Sequence, residues 1–317
     1  MPKRTGTFVG LDYDSASIRG VRVTQLSKGS DAAFSLDFAE EMRGNFSKDD
    51  GLTAGLALMK EKLRIGARDR VATCVSGKQV YVVQLPFRKL TQEETRKALR
   101  LELRKSLPFD ATTAAIEFQV LDAVEGKPDE QQLLVTAVAN AIIAKHLEIM
   151  DKAGIKPFIV DTLPTCAANA FFEEAGEFPD PDAAHVILHF GPSVCTLITG
   201  GEKAPFFHRN IYFAADELYG GNGGERPPDQ ERKRRIDTLA DEVMRSIAYY
   251  QKNNGKNGVR ELHLMGAHAD QPDLTQAMAD KTGLEVYLID LSDHFADAST
   301  VNTADFALAL TLAMRKT

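Results

Sequence analysis

No stretch of this chain is apolar over a length that would cross a bilayer. The longest such run, Phe306 to Met314, falls far short of the roughly 20 residues a helical span requires. The start does not read as a secretory leader, because Lys3 and Arg4 are followed by Asp12 and Asp14 before any apolar run develops. Positive charge is not in excess, and a net charge of -7 gives no reason to expect bulk nucleic-acid binding. Cysteine is scarce: Cys74, Cys166 and Cys195 lie far apart in apolar contexts, which fits buried thiols in a reducing compartment, with a reactive thiol as the alternative. What remains is a 317-residue chain, 44% hydrophobic and 26% charged, long enough for two domains and read as globular and cytoplasmic.

Against these absences, one hairpin motif occurs twice. GLDYDSASIRGVRV, from Gly10 to Val23, and LHFGPSVCTLITG, from Leu188 to Gly200, each read as an apolar strand, a tight turn of small and hydroxyl residues, and a second strand. Their recurrence roughly 178 residues apart predicts a duplicated fold whose halves face one cleft. Strands near 6–12, 17–26 and 33–42, a helix over 51–63 and a strand at 70–75 are answered by strands near 184–190, 193–200 and 203–211, helical sequence, and a strand at 261–265. This is the α/β pattern of two lobes. Between them stands an insertion: a strand at Val80 to Leu85, a helix opened by Thr91 with Glu94 as its capping box, strands near 115–124 and 131–138, and a helix from Asn140 to Ala153.

The helix after Thr91 sets Leu99, Leu101 and Leu103 among Arg96, Lys97, Arg100, Arg104 and Lys105, which reads as a solvated basic face, the alternative being a docking surface for an acidic partner. GGNGGERPPDQ, from Gly220 to Gln230, has the composition of a mobile loop, and no strand leads into it as a phosphate-binding loop would need. After it, Asp229 to Lys252 reads as a long charged helix with Ile236, Leu239, Val243, Ile247 and Tyr250 near helical spacing. His185 and His189 would chelate a metal on a helix, but AAHVILHF reads as a strand. At about 3.3 Å per residue their side chains stand roughly 13 Å apart. They are read as structural, as are His263 and His268.

A hairpin turn of glycine and serine aims backbone N–H groups and hydroxyls at phosphate oxygens, while an acidic residue at the strand end holds Mg²⁺ through water. At the first turn Asp12 supplies the acid, but Asp14 stands where glycine would be wanted, with an anionic side chain and the cost of a left-handed turn for a non-glycine residue. At the second turn Gly191 and Ser193 are present, yet His189 stands where the acid would be.

The chain resembles the PilM-type actin-like proteins of type IV pilus systems, which are similar to FtsA. The resemblance runs over nearly the whole length and rests on the order of several segments. They are the two turns, LRLELRKSLPFD, AGIKPFIVDTLPTCAANAF, FFHRNIYFAADEL, DEVMRSIAYYQ and ADFALALTLAMR. It departs from the family pattern at Asp14, at His189, at Ala214 and Ala215 where a glycine pair is usual, and at Ala267 after Gly266. An added Cβ blocks close backbone approach and a lost carboxylate weakens metal placement.

The resemblance implies an α/β, actin-like two-lobed fold of the duplicated ribonuclease H-like kind. Residues 1–75, 161–182 and the C-terminal helix at 302–317 would form the first lobe, 76–160 an inserted α+β subdomain, and 183–301 the second lobe, with 207–258 its smaller part. It further implies a cytoplasmic scaffold held at the inner membrane by a partner, the cytoplasmic N-terminal peptide of a PilN-like membrane protein, docked between the first lobe and the insertion. The strand Val80 to Leu85 and the helix after Thr91 are the expected walls. ATP binding is expected to be weak or lost and ATP hydrolysis absent. If Mg-ATP is retained, Asp12, Ser15, Ser17, Gly191, Ser193, Thr196 and Gly266 would hold it, with Glu242 and Arg245 reaching the ribose. A nucleotide-switched ATPase of the same machinery and a small-molecule kinase of the superfamily are the alternatives, though no catalytic carboxylate is assignable for the latter. A type II secretion relative shares the fold but would normally continue into a membrane span.

Overall fold

The computed structural model describes residues 4–27, 33–124, 126–176, 180–220, 225–254, 258–296 and 301–315. Its first half runs β1 (Arg4–Tyr13), β2 (Ser17–Leu26), β3 (Phe34–Arg43), α1 (Asp49–Lys62), β4 (Arg70–Val75), β5 (Val80–Arg88), α2 (Gln92–Glu102), β6 (Ala114–Val124), β7 (Lys127–Ala139), α3 (Asn140–Lys152), β8 (Pro157–Thr162) and α4 (Leu163–Ala175). The second half runs β9 (Ala184–Phe190), β10 (Cys195–Gly200), β11 (Phe207–Ile211), α5 (Asp216–Tyr219), α6 (Asp229–Asn254), β12 (Val259–Gly266), α7 (Pro272–Thr282), β13 (Glu285–Leu288), β14 (Phe295–Ala296) and α8 (Ala307–Met314).

The duplication is explicit in the sheets. Strands β3-β2-β1-β4-β8 of one sheet and β11-β10-β9-β12-β13 of the other follow the same order, antiparallel through the hairpins and parallel beyond them. Helix α4, which follows β8, and helix α8, which follows β14, pack together between the sheets in one core with Val21, Val23, Cys74, Ile187, Ile198 and Met265. A helix that is apolar all round is a buried helix, and every residue of α8 is buried. It crosses β1 so closely that a Cβ at Gly10 would overlap the Ala309 carbonyl. Among the described residues no helix is long and apolar enough to cross a membrane.

The insertion is a three-stranded sheet, β5-β7-β6, with α2 on one face. Thr91 and Glu94 form the reciprocal cap the sequence predicts, an arrangement typically worth about 1 kcal/mol. Its extent differs from the expected 76–160. Helix α3 buries Ile149 and Met150 with Leu56 and Met59 of α1 in the core of the first lobe, and β8 pairs with β4 in that lobe's sheet. The apolar face of α3 is drawn to the larger core, so the module is βαββ and the chain has rejoined the first lobe by Pro157.

Two further boundaries move. Phe295 and Ala296, expected in the second lobe, pair with Phe34 and Ser35 of β3, so the chain returns to the first lobe before residue 302. The segment 207–258 has no core of its own. Ile211 and the α6 residues Ile236, Leu239, Val243 and Ile247 share one cluster with β9, β10 and β12. Residues 221–224 of the glycine-rich segment lie outside the described residues.

Candidate functional site

The two hairpin turns meet across the lobes, where the Ser15 and Ser193 hydroxyls hydrogen-bond at 2.7 Å. Behind the first turn, strand register places Asp12 opposite Arg19 and Arg19 opposite Glu41 in one row across three strands. Arg19 is buried, 2% exposed, with its guanidinium 2.8 Å from Glu41 and 3.2 Å from the Ser17 hydroxyl. A fixed side-chain cation therefore faces the carboxylates of this end of the cleft. Burial raises the Asp12 carboxyl to about 6, Arg19 pulls it down and Asp14 pushes it up.

The expectation of strain at Asp14 is not met. Asp14 is not among the described residues with positive φ, and its carboxylate turns back to accept from the backbone N–H of Ala16 at 2.6 Å and of Ser17 at 3.0 Å. That is an Asx turn, which short acidic side chains favour. The carboxylate thus occupies the donors that would cradle a phosphate. At the second turn a Cβ on Gly191 would overlap the Val194 carbonyl, which accounts for the glycine without a ligand. His189 is buried, and burial first, then Arg19, lowers it to about 3, so its imidazole is neutral. Ala215 and Ala267, both fully buried, donate their N–H groups to Gly191 O at 3.2 Å and Phe190 O at 2.8 Å.

Of the expected nucleotide ligands, Asp12, Gly191, Ser193 and Thr196 line a single cavity of about 180 Å³, together with Asp14, His189, Lys78 and Tyr212. Ligand pockets usually run from about 300 Å³ upward. Ser15 closes on Ser193, and Ser17 lies behind the turn. Gly266, at φ 92, sits against His189 with its N–H given to Ala304 O. Glu242 and Arg245 are not in this wall; they pair with each other at 2.6 Å along α6, and Glu242 also takes Arg209 at 3.2 Å. On the other side of the turns a second bridge joins the lobes, with Arg43 3.7 Å from Asp216 and 3.4 Å from His268. His268, a non-glycine residue at φ 62, lies 3.5 Å from Asp216. As arranged, the residues at the turns do not fit a Mg-nucleotide: the cavity is small, the backbone donors of the first turn are taken by Asp14, and a guanidinium holds the place of positive charge.

The larger opening lies elsewhere. The face of the insertion sheet not covered by α2 looks toward α4 across two adjoining cavities of about 480 and 1110 Å³. They share Leu121, Leu134, Ala168, Phe172 and Phe206 as walls, so they form one groove between the insertion and the lobes. Strand alternation supplies Ala115, Glu117, Gln119 and Leu121 from β6 and Leu134, Thr136 and Val138 from β7. Leu121 and Phe172 are 38% exposed. At the first cavity Arg315 pairs with Asp161 at 3.0 Å. The expected walls differ from these. Helix α2 and the turn after it bury Leu99 and Leu103 on the opposite face of the sheet, and β5 contributes only Gln84, whose amide oxygen accepts the Phe206 N–H at 2.8 Å. The basic residues of α2 are also engaged, Arg96 with Glu117, Lys97 with Glu93, and Arg100 with the carbonyls of Ala111 and Ala114.

The sequence model of the family described as type IV pilus assembly protein PilM matches residues 10–220. The chain belongs to the PilM family. Among solved structures, the PilM-PilN type IV pilus biogenesis complex is similar with a TM-score of 0.78 at 18% identity, over 99% of both chains. A Bacteroides thetaiotaomicron protein of actin-like ATPase fold is similar with a TM-score of 0.53 at 10% identity, over 98% of this chain and 96% of the other. The cytoplasmic domain of EpsL, an inner-membrane component of the type II secretion system of Vibrio cholerae, scores 0.50 at 8% identity, over 98% and 97%. No curated protein sequence matches. The fold of this PilM-family chain is thus actin-like.

Sequence reading passes over Arg19, Arg43 and Asp216, the residues that fill this PilM-family cleft. The hairpin register would have found Arg19, since a four-residue turn over residues 14–17 sets it opposite Asp12. Arg43 and Asp216 meet only through the docking of the lobes, and no local pattern marks them.

Proposed function

We propose that this chain is an actin-like scaffold of a type IV pilus platform. It docks the cytoplasmic N-terminal peptide of a PilN-like membrane protein and is held at the inner membrane through that partner. It does not act as an ATPase, because its interlobe cleft is filled by its own side chains. The observation that carries this reading is the open groove walled by Leu121, Leu134, Phe172 and Phe206, set beside a cleft of only about 180 Å³. Family membership and the likeness to a PilM-PilN complex support the partner class.

Strand β6 is an edge of the insertion sheet, so its outer backbone groups are available to an extended peptide. A peptide added there would bury alternate side chains against Leu121, Leu134 and Phe172. A preformed groove lowers the ordering cost of binding a short segment.

The test is fluorescence anisotropy with the cytoplasmic N-terminal peptide of a PilN-like membrane protein from the same genome. Binding in the micromolar range, about -8 kcal/mol, is expected. Leu134→Arg should abolish it, while Leu101→Arg, on the exposed side of α2, should leave it unchanged. Equal binding by both variants would refute the groove assignment.

A further inference from the structure

A second polar cluster lies at the other end of β9 from the turns. Residues 185, 187 and 189 of β9 and 261, 263 and 265 of β12 lie on the sheet face that packs against α4, as Ile187 and Met265 in the interlobe core show. The register that pairs Leu262 with Val186 and His263 with Ile187 sets Glu261 beside His185. Glu261 Oε2 is 2.9 Å from His185 Nδ1 and 3.2 Å from His263 Nε2. One donor atom from each of the three residues falls within 4.8 Å of the other two.

We propose that His185, Glu261 and His263 form a binding site for a divalent cation of the zinc class. Two imidazoles and one carboxylate are a zinc donor set, and three protein ligands leave a position for water. With zinc–ligand bonds of about 2.1 Å, donors at tetrahedral corners stand about 3.4 Å apart. The two Glu261–histidine edges stand at 2.9 and 3.2 Å in this cluster, and the histidine–histidine edge lies within 4.8 Å.

Packing orients the rings. Phe171 of α4 lies 4.9 Å from the His185 ring and 4.6 Å from the His263 ring, and Tyr287 of β13 stacks on His263 at 5.5 Å. Both histidines are 8% exposed, whereas the Glu261 side chain is 33% exposed and provides the path by which an ion enters. The ion would tie β12, β9 and, through Phe171, α4 into one unit at the end of β9 away from the turns, with Phe171 also a wall of the larger cavity of the groove.

The test uses the full chain without an affinity tag, stripped with a chelator and titrated with zinc sulfate by calorimetry, and with cobalt(II) by visible absorption. One equivalent per chain is expected, with the absorption of a four-coordinate cobalt site. Glu261→Gln and His263→Gln should each weaken binding at least about tenfold, while His294→Gln should not change it. Because Glu261 is at the rim, Glu261→Gln keeps the fold, which circular dichroism verifies. Absence of stoichiometric binding, or binding that survives Glu261→Gln, overturns the proposal and leaves an aromatic-packed hydrogen-bond cluster.

Discussion

Replacing Arg19 by methionine keeps most of the side-chain volume and removes the charge that balances Asp12, Asp14 and Glu41. Breaking a buried ion pair typically costs about 3 to 5 kcal/mol because a charge is left uncompensated. Two features lower that figure here. Glu41 is 28% exposed and keeps Arg43 at 3.3 Å, so it is not left without a cation. The expected loss at pH 7 is therefore about 2 to 3 kcal/mol, carried chiefly by Asp12 and Asp14.

The pH dependence separates this account from a simple packing defect. Asp12 has a folded-state value raised to about 6, so the folded chain takes up its proton first and gains stability as the pH falls through that value. Without Arg19, which opposes the rise, the value climbs further and the gain is larger. His189, which Arg19 helps to hold near 3, also becomes easier to protonate, and this acts in the same direction. The penalty of Arg19→Met should thus shrink to about 1 kcal/mol by pH 5. Urea unfolding of both proteins at pH 5, 6, 7 and 8 measures it. A penalty that is constant across this range, or under about 0.5 kcal/mol at pH 7, refutes the balancing role of Arg19.

Other predictions follow from single contacts. Gly10→Ala places a methyl group on the Ala309 carbonyl and should cost about 3 kcal/mol in urea unfolding, with a cost under about 0.5 kcal/mol contradicting the close approach of α8 and β1. His146 is buried against the Tyr13 hydroxyl at 2.6 Å, and burial lowers it to about 4, so stability should fall as the pH drops below about 6.5. In His146→Gln that share of the acid sensitivity, up to about 1.4 kcal/mol per pH unit, should vanish; an unchanged slope would show that His146 does not titrate in this way. Mg-ATP added at about 1 mM should not shift the unfolding transition, and a shift of several degrees would indicate a nucleotide site that opens.

The parts of the fold legible in the sequence are those governed by neighbouring residues. Strand alternation around the two turns gave both hairpins to within about two residues, with the β10 start two residues late, and Thr91 with Glu94 marked the start of α2 because a capping box is a local hydrogen-bond pair. What was not legible depends on the competition of distant surfaces. The allegiance of α3 is decided by whether Ile149 and Met150 find α1 or the insertion sheet, and β14 is only two residues long. The same division holds for the sites. Four residues along one strand do separate His185 from His189, but the partners of His185 come from the adjacent parallel strand, which spacing within β9 does not reveal. The expected groove walls included α2, whose sequence does not say which face of the sheet it covers; it packs on the face opposite the two cavities.

The measurement closest to the central claim is a crystal structure of the full chain with the partner's N-terminal peptide, grown in the presence of Mg-ATP. The account predicts an extended peptide alongside β6, with side chains against Leu134 and Phe172, and a cleft without nucleotide in which Ser15 still touches Ser193. A peptide bound away from the groove, or a nucleotide seated between opened turns, would contradict it.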